Sequence, residues 1–356
     1  MQSYTVENRD EWNQALAKLP YAHILQSWEW GAFKAETTGW IPKRIMLKEG
    51  NEIVAMASIG MRQVAGFPLL YLAKGPAFAY EDGALVNEVL SFIEDYAKEM
   101  GAIWVKIDPD VVEAKGTGID DDNQADITGE TVKQILKARK WQYSADQVQF
   151  KNTLKIDLTQ DEETILMAMS QNTRRKVRTA EKKGVTVRQG DIEDLEILFQ
   201  LYQTTGERDD FLIRPFEYYR KAWQVFMEAG LAKAFIAEFE EKAIAHVILF
   251  HFGQTCWYFY GASSNEERNR MPNYLLQWEA MRWAKQAGYR YYDMWGAPTV
   301  FDENDSMWGV YQFKQGFRAE VVRHIGAWDF APSTLKYKAY TQLRPRVYQI
   351  LKRLKG

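Results

Sequence analysis

The chain has 356 residues, of which 46% are hydrophobic and 14% aromatic, enough apolar side chains to fill two cores of ordinary domain size. Its formal net charge of −3 argues against a protein that covers nucleic acid over its whole surface, so any contact with a polyanion must be local. Cys256 is the single cysteine, which excludes an intramolecular disulfide framework and a thiolate metal cage. No leader-like N-terminus and no run of about 18 apolar residues occurs, so we expect a reducing, cytoplasmic setting.

The first segment of unusual composition runs from Gln26 to Lys34 and reads Gln-Ser-Trp-Glu-Trp-Gly-Ala-Phe-Lys. Ser27 before the aromatic residues predicts a helix N-cap. Trp30 and Phe33 are expected to anchor this helix, and Lys34 follows them. Lys34 is compatible with an ordinary surface lysine, and its aromatic, glycine-bearing neighbourhood adds only modest support for a binding role.

One pattern of elements occurs twice along the chain. A strand, turn and strand over residues 44–55 precede an amphipathic helix that ends at Gly101 and a strand that ends at Asp108. The same order recurs in residues 233–245, a helix that ends at Gly288 and a strand that ends at Asp293. Each glycine suits a left-handed helix C-cap. The repeat predicts an α+β fold in which each half is a mixed sheet flanked by helices.

We place the junction between the halves near Asp157. The predicted domains are therefore residues 1–157 and 158–330, followed by a terminal segment, 331–356. Thr159 with Glu162 predicts a capping box that begins a new helix. The acidic segment 115–123 lacks the ligand spacing of a calcium site and is predicted to be a solvated loop.

Residues 172–184 contain six basic side chains and one acid. In a helix, Arg174, Arg178 and Lys182 lie along one stripe, with Arg175 beside it. A solvated helix face and a contact with phosphate or an RNA backbone are equally compatible with this pattern. The terminal segment 331–356 has seven basic residues, no acid and apolar residues at helical spacing. It predicts an amphipathic helix that docks on the body of the protein or faces anionic lipid or RNA.

Arg214 and Tyr218 lie four residues apart, on either side of the position where Pro215 can begin a helix. The two side chains are expected to meet near the positive end of that helix, where an anion is favoured. A phosphate grip is one interpretation, and an ion pair of Arg214 with Asp209 or Asp210 is another.

Tyr292-Asp293-Met294-Trp295-Gly296 and the stretch 309–317 place an acid, a glycine turn and Lys314 among aromatic residues. This arrangement predicts a strand end and the helix after it, and hence a site. His246 and His251, five apart in a strand, are expected on opposite faces, so no metal site is predicted. No nucleophile elbow, phosphate loop or dinucleotide-binding glycine motif is found.

Six separated segments carry a combined pattern: Trp28-Glu29-Trp30-Gly31 with Lys34, Asn172 to Val185, Arg208 to Tyr219, Pro272 to Glu279, Tyr292 to Gly296, and Phe313 to Phe317. Together they resemble the Fem family of non-ribosomal peptidyl transferases, which build peptidoglycan cross-bridges. The resemblance covers nearly the whole chain and implies two tandem acetyltransferase-like (GNAT) domains. The short spacing between Tyr219 and Lys233 leaves no room for the coiled-coil arm of some members, so the chain resembles the armless, FemX-like branch.

The resemblance also implies a reaction. Family members move an amino acid from an aminoacyl-tRNA to an amino group of the peptidoglycan stem peptide, which is carried as UDP-MurNAc-pentapeptide or as lipid II, and no cofactor is expected. The two basic segments then have tRNA as a candidate partner. The terminal helix is in addition a candidate for peripheral contact with the inner face of the membrane.

Carried over residue by residue, the resemblance implies roles for individual side chains. Lys34, Arg214 and Tyr218 resemble residues that grip the acceptor diphosphate, with Trp30 and with Tyr258 or Tyr260 as further substrate-binding residues. Asp108 resembles an acid close to the acceptor peptide, and Phe313 and Lys314 resemble the pair at the reaction centre. A fixed ammonium in a dry aromatic pocket can stabilise the oxyanion formed in aminolysis of an ester. Asp108, water and a substrate group all remain candidates for the base.

Two other functions are compatible with the sequence. An acetyl-CoA-dependent N-acyltransferase shares the fold, but residues 264–272 contain no glycine for a pyrophosphate turn. A non-catalytic protein that binds tRNA or a cell-wall precursor is the other alternative, and the intact Phe313 and Lys314 argue mildly against it.

Overall fold

The computed structural model describes residues 1–118 and 123–342. Part of the predicted acidic loop and most of the predicted terminal helix lie outside these residues. The described chain forms two compact units. Unit 1 contains Met1–Glu113, Ala125–Gln149 and the residues from His324 onward, and unit 2 contains Ala114–Gln124 and Phe150–Arg323. The chain therefore crosses between the units at other positions than the predicted boundaries after residues 157 and 330.

The elements up to Gln149 begin with an N-terminal strand. The helices are α1 (Arg9–Leu16), α2 (Trp28–Thr38), α3 (Gly83–Glu99) and α4 (Ile127–Ala138). The strands are β1 (Gln2–Thr5), β2 (Ile41–Glu49), β3 (Glu52–Val64), β4 (Phe67–Leu72), β5 (Ala77–Phe78), β6 (Trp104–Ile107), β7 (Val112–Gly116), β8 (Gln124–Ala125) and β9 (Gln142–Tyr143).

The elements after Gln149 include six helices and eight strands in the described residues. The strands are β10 (Asn152–Asp157), β11 (Thr186–Gly190), β12 (Ala232–Phe239), β13 (Lys242–Phe252), β14 (Thr255–Ser263), β15 (Tyr291–Asp293), β16 (Glu320–His324) and β17 (Trp328–Phe330). The helices are α5 (Glu162–Ala168), α6 (Gln171–Lys182), α7 (Leu195–Arg208), α8 (Phe216–Glu228), α9 (Pro272–Gln286) and α10 (Trp308–Gln315). A short 3-10 helix, Arg268–Arg270, precedes α9.

The two mixed sheets confirm the predicted α+β repeat. One sheet has the order β1-β2-β3-β4-β6-β17-β9, with β5 paired to β3, and the other has the order β11-β12-β13-β14-β15-β10-β16-β7-β8. In the first, α3 connects the parallel strands β4 and β6, and in the second, α9 connects the parallel strands β14 and β15. Gly101 and Gly288 follow these helices with φ values of 65° and 88°, the left-handed conformation expected of them.

Each connecting helix buries one apolar face against its sheet. The buried residues of α3 include Val86, Val89 and Ile93, which join the core of unit 1. The buried residues of α9 include Leu275 and Met281, which join the core of unit 2. Each core therefore forms between a sheet and the helix that links two of its parallel strands.

Several side chains of the segment from Gln26 to Lys34 fix the start of α2. Ser27 caps the helix by accepting a hydrogen bond from the Trp30 amide, as predicted. Glu29 is buried and accepts hydrogen bonds from Arg9 at 2.5 Å and Asn13 at 2.8 Å, which joins α1 to α2. A Cβ on Gly31 would lie 2.9 Å from Pro42 of β2. Glycine is needed there because the helix packs so closely on the strand.

Two predicted helix starts are wrong by one or two residues. Asp161, and not Thr159, caps α5 by accepting from the Thr164 amide, because its carboxylate stands directly before the first helical residue. The Thr159 amide instead donates to Asp157. Pro215 was predicted as the first helical residue of α8, but it is the N-cap, and the helix begins at Phe216.

Residues 334–342, the described beginning of the predicted terminal helix, are helical. Tyr337 and Tyr340 pack with Leu69, Ile103 and Trp104 of unit 1. The Tyr337 hydroxyl donates to Asp329 at 2.9 Å. Among residues 1–118 and 123–342, no helix is long and apolar enough to cross a membrane.

The packing of α4 generates a stability prediction for Gly129→Ala. Alanine normally stabilises a helix relative to glycine by up to about 1 kcal/mol. Here the new Cβ would lie 2.1 Å from the Val112 carbonyl oxygen, so backbone must move. We expect a loss of roughly 2 kcal/mol or more in the free energy of unfolding, measured by urea denaturation. Gly83→Ala, whose Cβ would lie an ordinary 3.8 Å from Ile135, is the matched control and should not lose stability.

Candidate active site

The candidate site of unit 2 begins where two parallel strands stop pairing. The ladder between β14 and β15 runs from Thr255 with Tyr291 to Trp257 with Asp293. Strand β14 continues to Ser263, whereas β15 ends at Asp293. The chain after β15 and the second half of β14 are therefore free to place side chains at the carboxyl end of this parallel strand pair.

A β-bulge in β14 sends two neighbouring tyrosines to opposite faces. Tyr258 pairs with Leu249 and Tyr260 pairs with the adjacent Ile248, so Phe259 is the extra residue. Without the bulge, side chains two apart would share a face. With it, Tyr258 faces the core beside Lys314, whereas Tyr260 faces α7 and α8.

Lys314 of α10 is buried beside the end of β15. Its Nζ donates to the carbonyl oxygens of Trp295 at 2.6 Å and Gly296 at 2.7 Å, called the carbonyl pair below. The Nζ also lies 5.9 Å from the centroid of the Tyr258 ring. An ammonium has three N–H donors, and the carbonyl pair takes two of them. The third can donate to an oxygen atom of a substrate.

Burial lowers the pKa of Lys314 to about 7, and the nearby Asp293 carboxylate opposes that shift. Asp293 is itself buried and accepts hydrogen bonds from the Trp295 amide at 2.8 Å and from the Thr153 hydroxyl. Trp295 has a φ of +58°, a left-handed conformation that costs a non-glycine residue about 1 to 2 kcal/mol. The turn that carries the carbonyl pair is therefore strained and is stabilised by a buried carboxylate.

Phe313, next to Lys314, is part of an aromatic group. Its ring centroid lies 5.1 Å from that of Tyr274 and 5.3 Å from that of Phe317. Lys176 of α6 donates to the Tyr274 hydroxyl at 2.8 Å. The basic helix thus reaches the aromatic group beside Lys314 through one hydrogen bond.

Arg214, Tyr218 and Tyr260 come together on the other face of the sheet. The Arg214 guanidinium lies 4.6 Å from the centroid of the Tyr218 ring. Burial raises the pKa of Tyr260, and the Arg214 charge opposes that shift. Asp209 pairs with Arg208 at 2.9 Å, and among the described residues no carboxylate forms an ion pair with Arg214. The exposed Arg214 therefore has its charge available for an anion.

The basic side chains of α6 divide into two groups. Arg174 donates to the carbonyl oxygens of Met167 and Met169 and so closes the end of α5. Arg175, which bonds to Asn172, is exposed together with Arg178 and Lys182. The predicted stripe thus keeps three basic residues at the surface, while Arg174 is used within the fold.

The remaining predicted site residues belong to unit 1. The Lys34 Nζ lies 4.7 Å from the centroid of the Trp30 ring and 5.2 Å from that of Phe33, so its charge is held over aromatic faces. Asp108 is buried and accepts hydrogen bonds from the Tyr71 hydroxyl and the Lys74 amide, both at 2.6 Å. Burial raises the pKa of Asp108, and the Lys74 charge opposes the shift.

These contacts engage both carboxylate oxygens of Asp108, which favours a role in holding the chain at Lys74 over a role as base. Asp293 lies in the stretch predicted to form a site but was given no individual role, although the repeat places it at the strand end equivalent to that of Asp108. Sequence reasoning also did not single out Lys176 or Tyr274. The signal for Asp293 was present in the two matching strand ends, but the hydrogen bond to Trp295 depends on a turn that no spacing rule specifies.

The histidines and the cysteine lie in the cores. His246 contacts Trp223 of α8 and His251 contacts Trp283 of α9, so they are on opposite faces of β13 as predicted. Burial lowers the pKa of His246 to about 3 and that of His251 to about 4. Cys256 is buried in β14, and burial raises the pKa of its thiol. None of the three presents an exposed nucleophile or proton donor.

Solved structures with this architecture define the class of protein. The chain is similar to the crystal structure of FemX with a TM-score of 0.84 and 23% identity, over 96% of this chain and 99% of that one. A tandem GNAT protein from the clavulanic acid biosynthesis pathway matches with a TM-score of 0.53 and 11% identity, over 93% and 98% of the two chains. At these identities the likeness establishes the fold, which is a tandem pair of GNAT-like domains.

The family follows from the sequence matches. The FemAB family model matches residues 7–240 and 227–344. The lipid II:glycine glycyltransferase of Staphylococcus aureus (strain MRSA252) is 25% identical over 92% of each chain, and that of Staphylococcus saprophyticus is 25% identical over 95% of each. The chain therefore belongs to the FemAB family and is an aminoacyltransferase, which confirms the resemblance noted in the sequence.

The buried ammonium predicts how stability changes with pH. The pKa of Lys314 is about 7 in the folded protein, whereas the ordinary pKa of a lysine, expected in the unfolded chain, is 10.5. Between these two pH values the unfolded chain therefore holds a proton that the folded chain lacks. Wild-type stability attributable to this group must then rise with pH from 7 toward 10. Lys314→Met removes the effect. We expect its stability relative to wild type to fall by about 2 kcal/mol between pH 7 and pH 9, measured by urea denaturation.

Lys242→Met, at an exposed lysine, is the control for this measurement. Its stability should follow that of wild type across the same range. Parallel curves for Lys314→Met and wild type would contradict a buried, destabilised ammonium.

Proposed function

We propose that the protein transfers an amino acid from an aminoacyl-tRNA to an amino group of the peptidoglycan stem peptide, in the synthesis of cross-bridges. The observation that carries the proposal is the Lys314 ammonium, buried at the end of β15 with one N–H left for a substrate. The FemAB membership and the glycyltransferase relatives support the reaction class. The donor and the acceptor are the proposed part.

The chemistry needs a donor at the developing oxyanion. The acceptor amine attacks the ester carbonyl of the aminoacyl group, and the carbonyl oxygen becomes negative. The third N–H of Lys314 stabilises this oxygen, since a fixed donor in a dry site is worth far more than one in water. The C–N bond then forms fully, the C–O bond to the ribose breaks, and the amine proton passes to the ribose oxygen. Lys314 remains an ammonium throughout.

Arg214, Tyr218 and Tyr260 are the proposed acceptor contacts in unit 2. An exposed guanidinium beside two phenol groups is suited to a diphosphate, which accepts hydrogen bonds from both kinds of donor. UDP-MurNAc-pentapeptide and lipid II both contain a diphosphate. The names of the relatives favour the lipid-linked acceptor. Lys34, held over Trp30 and Phe33, is the proposed acceptor contact in unit 1.

The proposed donor surface consists of the exposed basic residues of α6 and the 3-10 helix 268–270. Lys183 donates to the Asn269 carbonyl at 2.8 Å, and Arg270 donates to the Lys183 carbonyl at 2.7 Å, so the two segments are joined. Basic side chains next to aromatic rings are typical of sites for single-stranded nucleic acid. Here Lys176 connects the basic surface to Tyr274 and Phe313 beside Lys314.

Lys314→Ala tests the reaction centre. We expect kcat to fall by about 10² to 10³, because the oxyanion loses its donor, while acceptor binding is unchanged. The assay incubates the protein with a mixed pool of aminoacylated tRNAs and either UDP-MurNAc-pentapeptide or lipid II, and reads the mass of the acceptor. Lys242→Ala, at an exposed lysine, should keep wild-type turnover. Acetyl-CoA in place of the tRNA pool should give no product.

Two results would contradict the proposal. If wild type adds no residue to either acceptor, the assigned donor or acceptor is wrong. If wild type is active and Lys314→Ala equals it, the reaction centre lies elsewhere.

The basic surface predicts a salt-dependent effect on the donor alone. In Arg178→Ala with Lys182→Ala we expect weaker tRNA binding at every salt concentration and a shallower dependence of log K on log salt, by about one unit for each phosphate that the variant no longer neutralises. Filter binding with uncharged tRNA measures both quantities. Acceptor binding should not change. A slope equal to that of wild type would mean that α6 does not bind the RNA backbone.

A further inference from the structure

We infer that Asp293 is a positioning residue of the reaction: it fixes the turn that carries the carbonyl pair and supplies the negative charge that keeps Lys314 an ammonium. The inference rests on the proposed function of Lys314 but assigns a role to a residue for which the sequence predicted no individual role. We assign Asp293 no contact with the substrate: its effect on the reaction passes through the turn and through Lys314.

The geometry of the turn carries the first part of the argument. Asp293 is 1% exposed and accepts hydrogen bonds from the Trp295 amide and the Thr153 hydroxyl. The bond to the amide holds Trp295 in the left-handed conformation, with φ at +58°. In this turn the carbonyl oxygens of Trp295 and Gly296 both accept hydrogen bonds from Lys314.

The turn is also fixed by packing on both sides. The Trp295 ring stacks on Phe259, the bulged residue of β14, at a centroid distance of 4.5 Å and an interplanar angle of 26°. A Cβ on Gly296 would lie 2.9 Å from the Phe150 ring. The Met294 amide donates to the Leu154 carbonyl at 2.8 Å. The carbonyl pair is thus held in place before any substrate arrives.

The charge of Asp293 carries the second part. Burial lowers the pKa of Lys314, and Asp293 is the one charged group in the described residues that opposes this shift. Tyr258 of β14 also faces Lys314, but burial raises its pKa to about 12, so it is neutral in the relevant range. On α10 itself, the Tyr311 hydroxyl is used in a hydrogen bond to the Thr117 carbonyl.

Protonation decides whether Lys314 can serve the substrate. Neutral Lys314 has two N–H donors, and the carbonyl pair takes both. The ammonium has a third. Asp293 therefore sets the fraction of the protein in which Lys314 has a donor to spare at a given pH.

The test compares Asp293→Asn with wild type in two independent measurements. The carboxamide oxygen can still accept from the Trp295 amide, whereas the negative charge is gone. In the first measurement, carbon-13 NMR of the lysine Cε resonances follows the titration of Lys314, which is assigned by its absence from Lys314→Met. We expect the midpoint in Asp293→Asn to lie about one pH unit below that of wild type.

The second measurement is the ratio of kcat in Asp293→Asn to kcat in wild type as a function of pH, with the acceptor and tRNA saturating. The titration of the substrate amine cancels in this ratio because both proteins use the same substrate. For a shift of about one unit from a midpoint near 7, the ratio should fall from about one half at pH 6 to about one tenth at pH 8.

Thr153→Val is the matched control, because it removes a hydrogen bond to Asp293 and leaves the charge. We expect it to lower kcat by the same factor at every pH and to leave the midpoint of Lys314 unchanged. Asp293→Glu keeps the charge and displaces it by one methylene, so its Lys314 midpoint should stay closer to wild type than to that of Asp293→Asn. If Asp293→Asn does not fold, a Glu variant whose midpoint falls by a unit or more overturns the inference.

The outcomes separate this inference from the proposed function. An unchanged Lys314 midpoint in Asp293→Asn overturns the role of the charge, whatever the activity. A lowered midpoint with a pH-independent kcat ratio overturns the catalytic consequence. A lowered midpoint in a protein whose wild type transfers nothing leaves the effect of Asp293 on Lys314 standing and overturns the proposed function.

Discussion

The hydrogen bonds from Lys314 to the Trp295 and Gly296 carbonyls are the interaction on which the site of unit 2 depends. A lone ammonium in this position would be too costly to bury, and two backbone carbonyls together with one buried carboxylate compensate part of that cost. The compensation is incomplete, because the pKa of Lys314 still falls to about 7. The site therefore holds a cation that is dry, fixed and near its titration point, three properties that a surface lysine lacks.

The bulge at Phe259 places the functional side chains of β14 on both faces of the sheet. On one face Tyr258 lies near Lys314, and on the other Tyr260 lies with Arg214 and Tyr218. One extra residue in β14 thus serves two groups of side chains at once. The same extra residue stacks on Trp295 and supports the turn under Lys314. The single extra residue, and not a property of the tyrosines, explains why Tyr258 and Tyr260 face opposite sides of the sheet.

Much of the fold could be predicted from the sequence because it depends on local signals. Glycine caps after α3 and α9 and the spacing of apolar residues marked both repeats, and a serine cap marked α2. The start of α5 was misplaced because the Asp161 carboxylate, directly before the first helical residue, caps the helix at the Thr164 amide, whereas the Thr159 amide donates to Asp157. The chain returns to unit 1 before the boundary predicted after residue 330 because β17 pairs with β6 of unit 1, a pairing between residues far apart in sequence.

The candidate site was predictable to the same extent. Lys314, Phe313, Arg214 and Tyr218 were predicted as site residues from their motifs, and their roles stay predictions. The Arg214 guanidinium does meet the Tyr218 ring, although Arg214 precedes the N-cap of α8 and is not part of the helix. The placement of Tyr258 and Tyr260 on opposite faces could not be predicted, since a bulge leaves no regular mark in the sequence. Arg174 was placed on the basic stripe, and only the structure reveals that its guanidinium bonds to two carbonyls at the end of α5.

The two repeats contain the same structural feature, which serves a different purpose in each. In each, a buried aspartate at the end of the strand after the connecting helix accepts a hydrogen bond from the amide of a non-glycine residue in the left-handed conformation: Asp108 from Lys74, with φ at +51°, and Asp293 from Trp295, with φ at +58°. A carboxylate is suited to this because its full charge offsets the strain of such a residue. In unit 1 the turn presents Lys74 to Asp110, with which it pairs at 2.8 Å. In unit 2 the turn presents two carbonyls to Lys314. Sequence reasoning assigned chemistry to Asp108 and none to Asp293, yet the strand that leads to the buried, titratable ammonium is the one that ends in Asp293.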